Sequence, residues 1–366
     1  MRRLPLSVRN AVSAELQRLL DEEIIERINA SEWISPIVVI QKKSGGIRLC
    51  VDLREPNKAV IADCFPLPHI DDLLLKFQGS SVFSILDLKA AYRQLILHEN
   101  SRDLTAFITH DGLYRFRRVP YGLSSAPSAF QKIMAEILHG LPGVVCYLDD
   151  IVVFGKSTEE HDRNLNTVFR RLQQYNVVLN ESKCKLRQKE LLFLGYKISA
   201  EGIRPDVSRI TAFLEITSLK DTQQLRSFIG LLSWYSKFIP KFSTVVYPLR
   251  ELARTGNTFL WSKEAQDCFD RLKTLLLESP ALALFTPRLP TVVTTDASDI
   301  GIGAVLSQRY PCGTERTVAF ASRTLTPAEQ KYSIVEKEAL ACVWAVKKWR
   351  PWLWGIQFEL LQIKER

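Results

Sequence analysis

The chain has 366 residues, room for two or three domains at roughly 100–200 residues each. Hydrophobic residues make up 46% and charged residues 24%, a globular composition that excludes a disordered or low-complexity chain. Lys and Arg number 49 against 40 Asp and Glu, a net +9 that makes nucleic acid or another polyanion a reasonable partner. No run approaches the roughly 20 apolar residues of a membrane helix, and Met1-Arg-Arg-Leu-Pro5 is followed by charge rather than a signal-peptide core. A soluble, intracellular and cytoplasmic protein is expected, with nuclear entry open. The seven Cys are scattered without a C-x-x-C pair, which argues against a disulfide framework and a structural zinc site.

In chain order, Leu16, Leu19, Leu20 and Ile24 predict a helix over 13–28. Two β-rich runs, 36–41 and 47–53, flank Lys42-Lys-Ser-Gly-Gly46 and read as a hairpin. Asp71-Asp72 opens a helix, where acids suit the dipole. A strand over 82–86 runs into Asp87. A second hairpin surrounds His110-Asp-Gly112, and a helix follows over 124–138. Strands 144–148 and 151–154 flank Asp149-Asp150 as a third hairpin, then comes a helix over 165–175 and a pair of strands around Gly195. Residues 206–285 read as helical, with Leu225, Phe228, Leu232 and Tyr235 forming a packing stripe. Lys220, Arg226, Lys237 and Lys241 on these helices are candidates to face a duplex backbone. Strands return at 291–295, 303–308 and 317–321, and Thr326-Pro-Ala-Glu329 predicts the capped start of a long helix. The tryptophans at 344, 349, 352 and 354 are expected to pack a helix end. Domain boundaries are expected near 205 and 287.

Asp-Asp occurs twice, so the dipeptide says little by itself. Residues 71–72 suit a helix start, whereas 149–150 sit between apolar strands without the Asn-Gly or Asp-Gly signature of a two-residue turn. Adjacent carboxylates on such a tip repel unless a cation neutralises them. If the strand ending in Asp87 neighbours that hairpin, Asp87 and Asp149 converge. An all-oxygen site of this kind suits Mg²⁺. Two ions about 3.5–4 Å apart would support in-line phosphoryl displacement. Two unrelated polar turns explain the same spacing.

Five segments, Ile47-Arg-Leu-Cys-Val-Asp-Leu-Arg54, Leu86-Asp-Leu-Lys-Ala-Ala-Tyr-Arg-Gln94, Val119-Pro-Tyr-Gly-Leu-Ser-Ser-Ala-Pro-Ser-Ala-Phe-Gln131, Tyr147-Leu-Asp-Asp150 and Phe193-Leu-Gly-Tyr196, occur in that order. Together they resemble the reverse transcriptase of gypsy-type LTR retrotransposons, over about residues 15–358. The resemblance implies an α+β multidomain chain: a right-hand polymerase with fingers and palm in 1–205, a helical thumb and connection in 206–287, and a ribonuclease H-like α/β domain in 288–366. It implies Asp87, Asp149 and Asp150 as palm carboxylates, with the Leu88 carbonyl as a further metal ligand for Mg²⁺, or Mn²⁺ in its place. Tyr92 matches the aromatic gate that excludes a ribose 2′-OH; a core tyrosine is the plain alternative. Lys42 and Arg48 match fingers residues on the triphosphate, and Lys43 is adjacent to the first. Tyr121 and Gly122 match the segment beside the incoming dNTP, where the family usually carries Phe at position 121. Leu194 and Gly195 match the primer grip.

Near the C-terminus, Thr294-Thr-Asp-Ala-Ser298, Gly301-Ile-Gly-Ala304 and Tyr332-Ser-Ile-Val-Glu-Lys-Glu-Ala-Leu-Ala341 resemble the ribonuclease H domain of the same elements. Asp296 and Glu338 match two of its catalytic carboxylates, although Glu336 is an equal candidate from the residues alone. Ile363 falls where the third Asp belongs, and no Asp follows Asp299. The domain is therefore expected to be truncated, with an exposed sheet edge and with RNA cleavage lost or impaired. The expected function is RNA-directed DNA polymerisation, with an RNA template, a DNA primer, their RNA/DNA hybrid and dNTPs as partners. A non-catalytic nucleic-acid-binding remnant of a decayed element is the rival. An RNA-dependent RNA polymerase is disfavoured by Tyr92.

Overall fold

The computed structural model describes residues 4–41, 46–61, 65–254 and 259–363. Lys42 and Lys43 lie outside the described residues. The chain forms two compact units. The first takes residues 1–69 and 82–188, and the second takes 70–81 and 189–366. The two units divide at 188/189, and the short helix Ile70–Lys76 belongs with the second unit.

The first unit begins with the helix Leu6–Asp21, which buries Val12, Leu16 and Leu19. The predicted helix over 13–28 ends early: Glu23 adopts φ 52°, and Ile25–Ile28 form strand β1. Ile24 and Ile25 keep the apolar period but are buried from a strand and its approach. The fingers-type sheet then collects β2 (Ser35–Gln41), β3 (Ile47–Val51), β5 (Phe107–Thr109) and β6 (Gly112–Phe116), in the order β1-β6-β5-β2-β3. A second sheet collects β4 (Val82–Asp87), β7 (Val144–Tyr147), β8 (Asp150–Gly155) and β9 (Lys185–Gln188), in the order β7-β8-β4-β9. The helices Ala126–Ile137 and Thr158–Gln174 cover this sheet. Phe130, Met134, Val168 and Leu172 meet Leu86, Ile151 and Val153 in its core.

One polar group is sealed beside that core. His161 is fully buried, with Nε2 2.8 Å from Ser84 Oγ and Nδ1 3.0 Å from Asp162 Oδ1. Arg187 on β9 donates its backbone N–H to Ser84 Oγ and pairs its guanidinium with Asp162. This relay ties the helix Thr158–Gln174 to β4 and β9.

The second unit holds a three-stranded meander, β10 (Glu190–Phe193), β11 (Tyr196–Ser199) and β12 (Gly202–Pro205), followed by helices. Leu225, Phe228, Leu232 and Tyr235 are all buried there, as the stripe predicted. Its second sheet has the order β15-β14-β13-β16, from β13 (Thr291–Ala297), β14 (Gly301–Arg309), β15 (Glu315–Thr324) and β16 (Phe358–Gln362). The predicted cap at Thr326 forms its hydrogen bonds with Glu329 but starts only a single turn, Glu329–Lys331. The long helix is Ile334–Lys348, opened by a second capping box, Ser333 with Glu336. Trp349 is buried in the core of this domain, and Trp354 is 74% exposed. Among the described residues, no helix is long and apolar enough to cross a membrane.

Candidate active site

In the antiparallel β4–β8 ladder Asp87 stands opposite Asp150, so the strand ending in Asp87 does neighbour the hairpin and the strand-end aspartate meets the Asp-Asp turn. The turn is held open by strain and by one side chain. Leu148 sits at φ 53°, a left-handed conformation that costs a non-glycine residue. Its backbone N–H donates to Gln131 Oε1 at 2.7 Å, while Gln131 Nε2 donates to the Cys146 carbonyl at 3.0 Å. Gln131 is 3% exposed, so this clamp works away from water. Nothing in the residues singles out Gln131 beyond its place in the Ala-Phe-Gln segment.

Asp149 is half-buried, and its Oδ1 has no hydrogen-bond partner. Burial pushes its carboxyl above the usual range, the charge of Asp87 adds to that, and a hydrogen bond donated by Tyr92 opposes it. Asp150 is exposed, and Asp87 Oδ1 lies 4.0 Å from Lys183 Nζ. Leu88 is buried and bridges Leu179, while the Asp87 carbonyl accepts from Asn180 N–H. Among the described residues no three carboxylate, His or Cys side chains enclose a ready-made metal cage. An orphaned, partly buried carboxylate oxygen beside a second carboxylate is nevertheless the donor set that a hard cation satisfies.

Tyr92 lies over this pair. Burial and the Asp149 charge push its phenol up to about 12. Its ring meets Phe130 edge-on at 5.4 Å and Tyr121 at 5.3 Å. It is thus a packed tyrosine and a neighbour of the carboxylates at once. Tyr121 also lies 5.8 Å from each of the guanidiniums of Arg48 and Arg93. Arg93, which sequence reasoning passed over, has a buried Nε without a partner. Gly122 adopts φ 95°, and Asn57 clamps that loop by donating to the Gly122 carbonyl and accepting from Ser124 N–H.

In the second unit Leu194 (φ 51°) and Gly195 (φ 85°) form the tight β10–β11 turn. Tyr235 Oη donates to the Gly195 carbonyl at 3.0 Å. Glycine is favoured there by φ, and a Cβ at Gly195 would lie 3.2 Å from Tyr235 Oη and 3.4 Å from Trp234 Nε1, a tight fit against two side-chain ends. Trp234 is 47% exposed and stacks on Tyr196 at 6.1 Å, an aromatic surface the sequence reading did not flag. Three of the four cations that are candidates to face a duplex have partners within the chain. Lys237 pairs with Asp71 and lies over the Tyr196 ring, Arg226 donates to the Ala253 carbonyl, and Lys241 pairs with Asp296.

Asp296 and Glu338 do come together, and the structure separates Glu338 from Glu336, which is spent on the helix cap. Burial raises the Glu338 carboxyl and the Asp296 charge adds to it; Glu338 Oε2 has no hydrogen-bond partner.

Residues 40–198 match the family described as reverse transcriptase (RNA-dependent DNA polymerase), and residues 261–360 match the RNase H-like domain found in reverse transcriptase. The chain is 35% identical over 364 residues to the retrovirus-related Pol polyprotein from transposon 412 of Drosophila melanogaster, covering 97% of this chain and 29% of that protein. It is 34% identical over 352 residues to the transposon Tf2-3 polyprotein of Schizosaccharomyces pombe, covering 96% and 26%. The chain thus spans less than a third of these relatives. Its fold is that of the foamy viral protease-reverse transcriptase dRH solved with double-stranded DNA (TM-score 0.89, 24% identity, all of this chain and 65% of that one). The foamy viral protease-reverse transcriptase solved with an RNA/DNA hybrid is similar too (TM-score 0.82, 23% identity, all of this chain and 49% of that one). The chain thus carries, in sequence order, a domain matching the reverse transcriptase family and a domain matching the RNase H-like family found in reverse transcriptases, and the relatives it resembles are retrotransposon polyproteins.

Proposed function

We propose that this chain is the RNA-directed DNA polymerase of a gypsy-type element, extending a DNA primer on an RNA template with dNTPs. The observation that carries the reading is the meeting of Asp87 with the Asp149-Asp150 turn: Asp87 ends its strand opposite Asp150, and the neighbouring Asp149, on a clamped turn, has a buried oxygen without a hydrogen-bond partner.

Asp87 and Asp149 would hold Mg²⁺ or Mn²⁺, with the Leu88 carbonyl as a further ligand and Asp150 in support. The bound cations would favour the ionised primer 3′-oxygen and offset the charge that builds on the pyrophosphate leaving group. This chain's own residues do the positioning. Gln131 keeps Asp149 in register through the Leu148 N–H. Tyr92 donates to Asp149, which favours the ionised carboxylate, and its ring is proposed as the gate against a ribose 2′-OH. Arg48, with Tyr121 against its guanidinium, offers a forked donor to the triphosphate; Lys42 is proposed for the same duty. Gly122 leaves the backbone bare beside the nucleotide, with no atom within 4 Å of where a Cβ would stand. Leu194 and Gly195 present a close backbone turn to the primer, and Trp234 beside them offers a stacking face.

Primer extension on an RNA template with Mg²⁺ and dNTPs tests the reading, with wild type beside Asp149→Asn. Extension by the wild type and none by the variant is expected. A folded wild type that binds RNA/DNA hybrid yet extends nothing would replace this reading with a non-catalytic binding remnant.

A further inference from the structure

Asp296, on β13, and Glu338, on the helix Ile334–Lys348, are the two carboxylates of the RNase H-like domain that meet. Their surroundings do not fit a two-metal centre. The parallel β13–β16 register pairs Thr295 with Gln362, so the next position, beside Asp296, is Ile363, whose N–H donates to the Thr295 carbonyl. No third carboxylate is supplied there.

The positive charge is supplied by the chain itself. Lys241 Nζ lies 2.7 Å from Asp296 Oδ2. Asp299, three residues on, is likewise paired, with Lys337 Nζ at 2.8 Å. The Lys241 side chain arrives from a fixed backbone. Lys241 holds a left-handed conformation, φ 50° and ψ 32°, at the start of the turn Phe242–Val245, which a lysine adopts only when its surroundings impose it. Ser243 is fully buried and donates its N–H to Ser322 Oγ on β15 at 2.8 Å. Gly301 on β14 lies against this turn: a Cβ there would stand 2.9 Å from the Arg323 carbonyl of β15, and in ordinary contact with Thr244 Oγ1 and Ser243 Oγ at 3.4 and 3.5 Å.

We propose that Lys241 closes the Asp296–Glu338 pair to divalent cations, so that the pair anchors residues 241–245 to the sheet and is not a ribonuclease centre in this chain. An ammonium at contact distance satisfies Asp296 without any coordination geometry. A divalent ion would need both carboxylates together and would face that ammonium's charge.

The test is Mn²⁺ binding followed by electron paramagnetic resonance, in the full chain carrying Asp87→Asn and Asp149→Asn so that the polymerase site is silent whatever its role. This parent is expected to show no Asp296-dependent site. Lys241→Gln in the same background should gain one Mn²⁺ site, tighter by at least about tenfold, the scale of one partly screened charge contact. Adding Asp296→Asn should abolish the gain, and Lys241→Arg should leave the pair closed. A parent that already binds one Mn²⁺ lost on Asp296→Asn overturns the proposal, as does a folded Lys241→Gln chain that gains nothing. Fe²⁺-directed hydroxyl-radical cleavage of the wild-type backbone at 296–298 would overturn it without any variant.

Discussion

Replacing Asp149 by Asn separates a functional carboxylate from a structural one, because the two roles predict opposite signs. In the metal-free protein, Asp149 Oδ1 is buried without a partner and the carboxyl stands beside Asp87. An unsatisfied buried polar group costs about 1–3 kcal/mol. Asp149 is only half-buried, so solvent screening brings the figure down to about 1 kcal/mol. The amide keeps an oxygen to accept from Tyr92 while losing the charge. Asp149→Asn should therefore raise the apo melting temperature by about 2–4 °C for a unit of this size. The pH dependence follows from the raised folded pKa. Between the ordinary Asp value and the raised one, the folded chain binds more protons than the unfolded chain. Wild-type stability therefore falls as pH rises through that window, and the advantage of the variant appears above it and vanishes below it. The assay is differential scanning calorimetry in EDTA at several pH values, with primer extension in Mg²⁺ alongside. Extension should fall by at least about 10²-fold, the scale seen when one preorganised charge-stabilising group is lost. A variant that melts lower than the wild type in EDTA would refute the reasoning and make Asp149 part of the turn's scaffold.

Three further outcomes test the rest of the site. Tyr92→Ala should raise rNTP incorporation relative to dNTP by about tenfold or more, roughly 1.4 kcal/mol of discrimination; unchanged sugar selectivity in competition assays would return Tyr92 to a packing role. Gln131→Leu leaves the strained Leu148 N–H unpaired in the core, and should lose about 1–3 kcal/mol in urea denaturation along with extension rate; full activity would mean that the turn holds itself. His161→Ala removes one of the two partners of buried Ser84 Oγ, leaving only the Arg187 N–H, and opens a cavity, so a loss of about 2–4 kcal/mol is expected in the same assay, and a change below about 0.5 kcal/mol would show the relay to be dispensable.

Much of the chemistry was legible in the residues because it rests on local order. Alternating apolar strands ending in Asp87 and flanking Asp149-Asp150 needed only antiparallel pairing to bring the carboxylates together, and β4 with β8 does so. The stripe Leu225, Phe228, Leu232, Tyr235 was equally clear, since one helix face has only one way to be buried. Local signals failed where two readings shared one pattern. Ile24 and Ile25 continue a helical period but belong to a strand and its approach. Thr326 and Glu329 make a true cap on a turn too short to be the helix.

The sequence by itself determined most of the strands and helices and, through its ordered motifs, the resemblance to retrotransposon reverse transcriptases, since both are written in the order and spacing of residues along the chain. Tertiary structure alone decided which charges face what. It paired Lys237 with Asp71 and Lys241 with Asp296, gave Glu336 to a cap and set Glu338 beside Asp296. It also set Gln131 beneath the Asp-Asp turn. A charged or amide side chain carries no periodicity that names its partner. Its role is fixed by whichever opposite charge or unsatisfied backbone group the folded chain brings within about 3 Å.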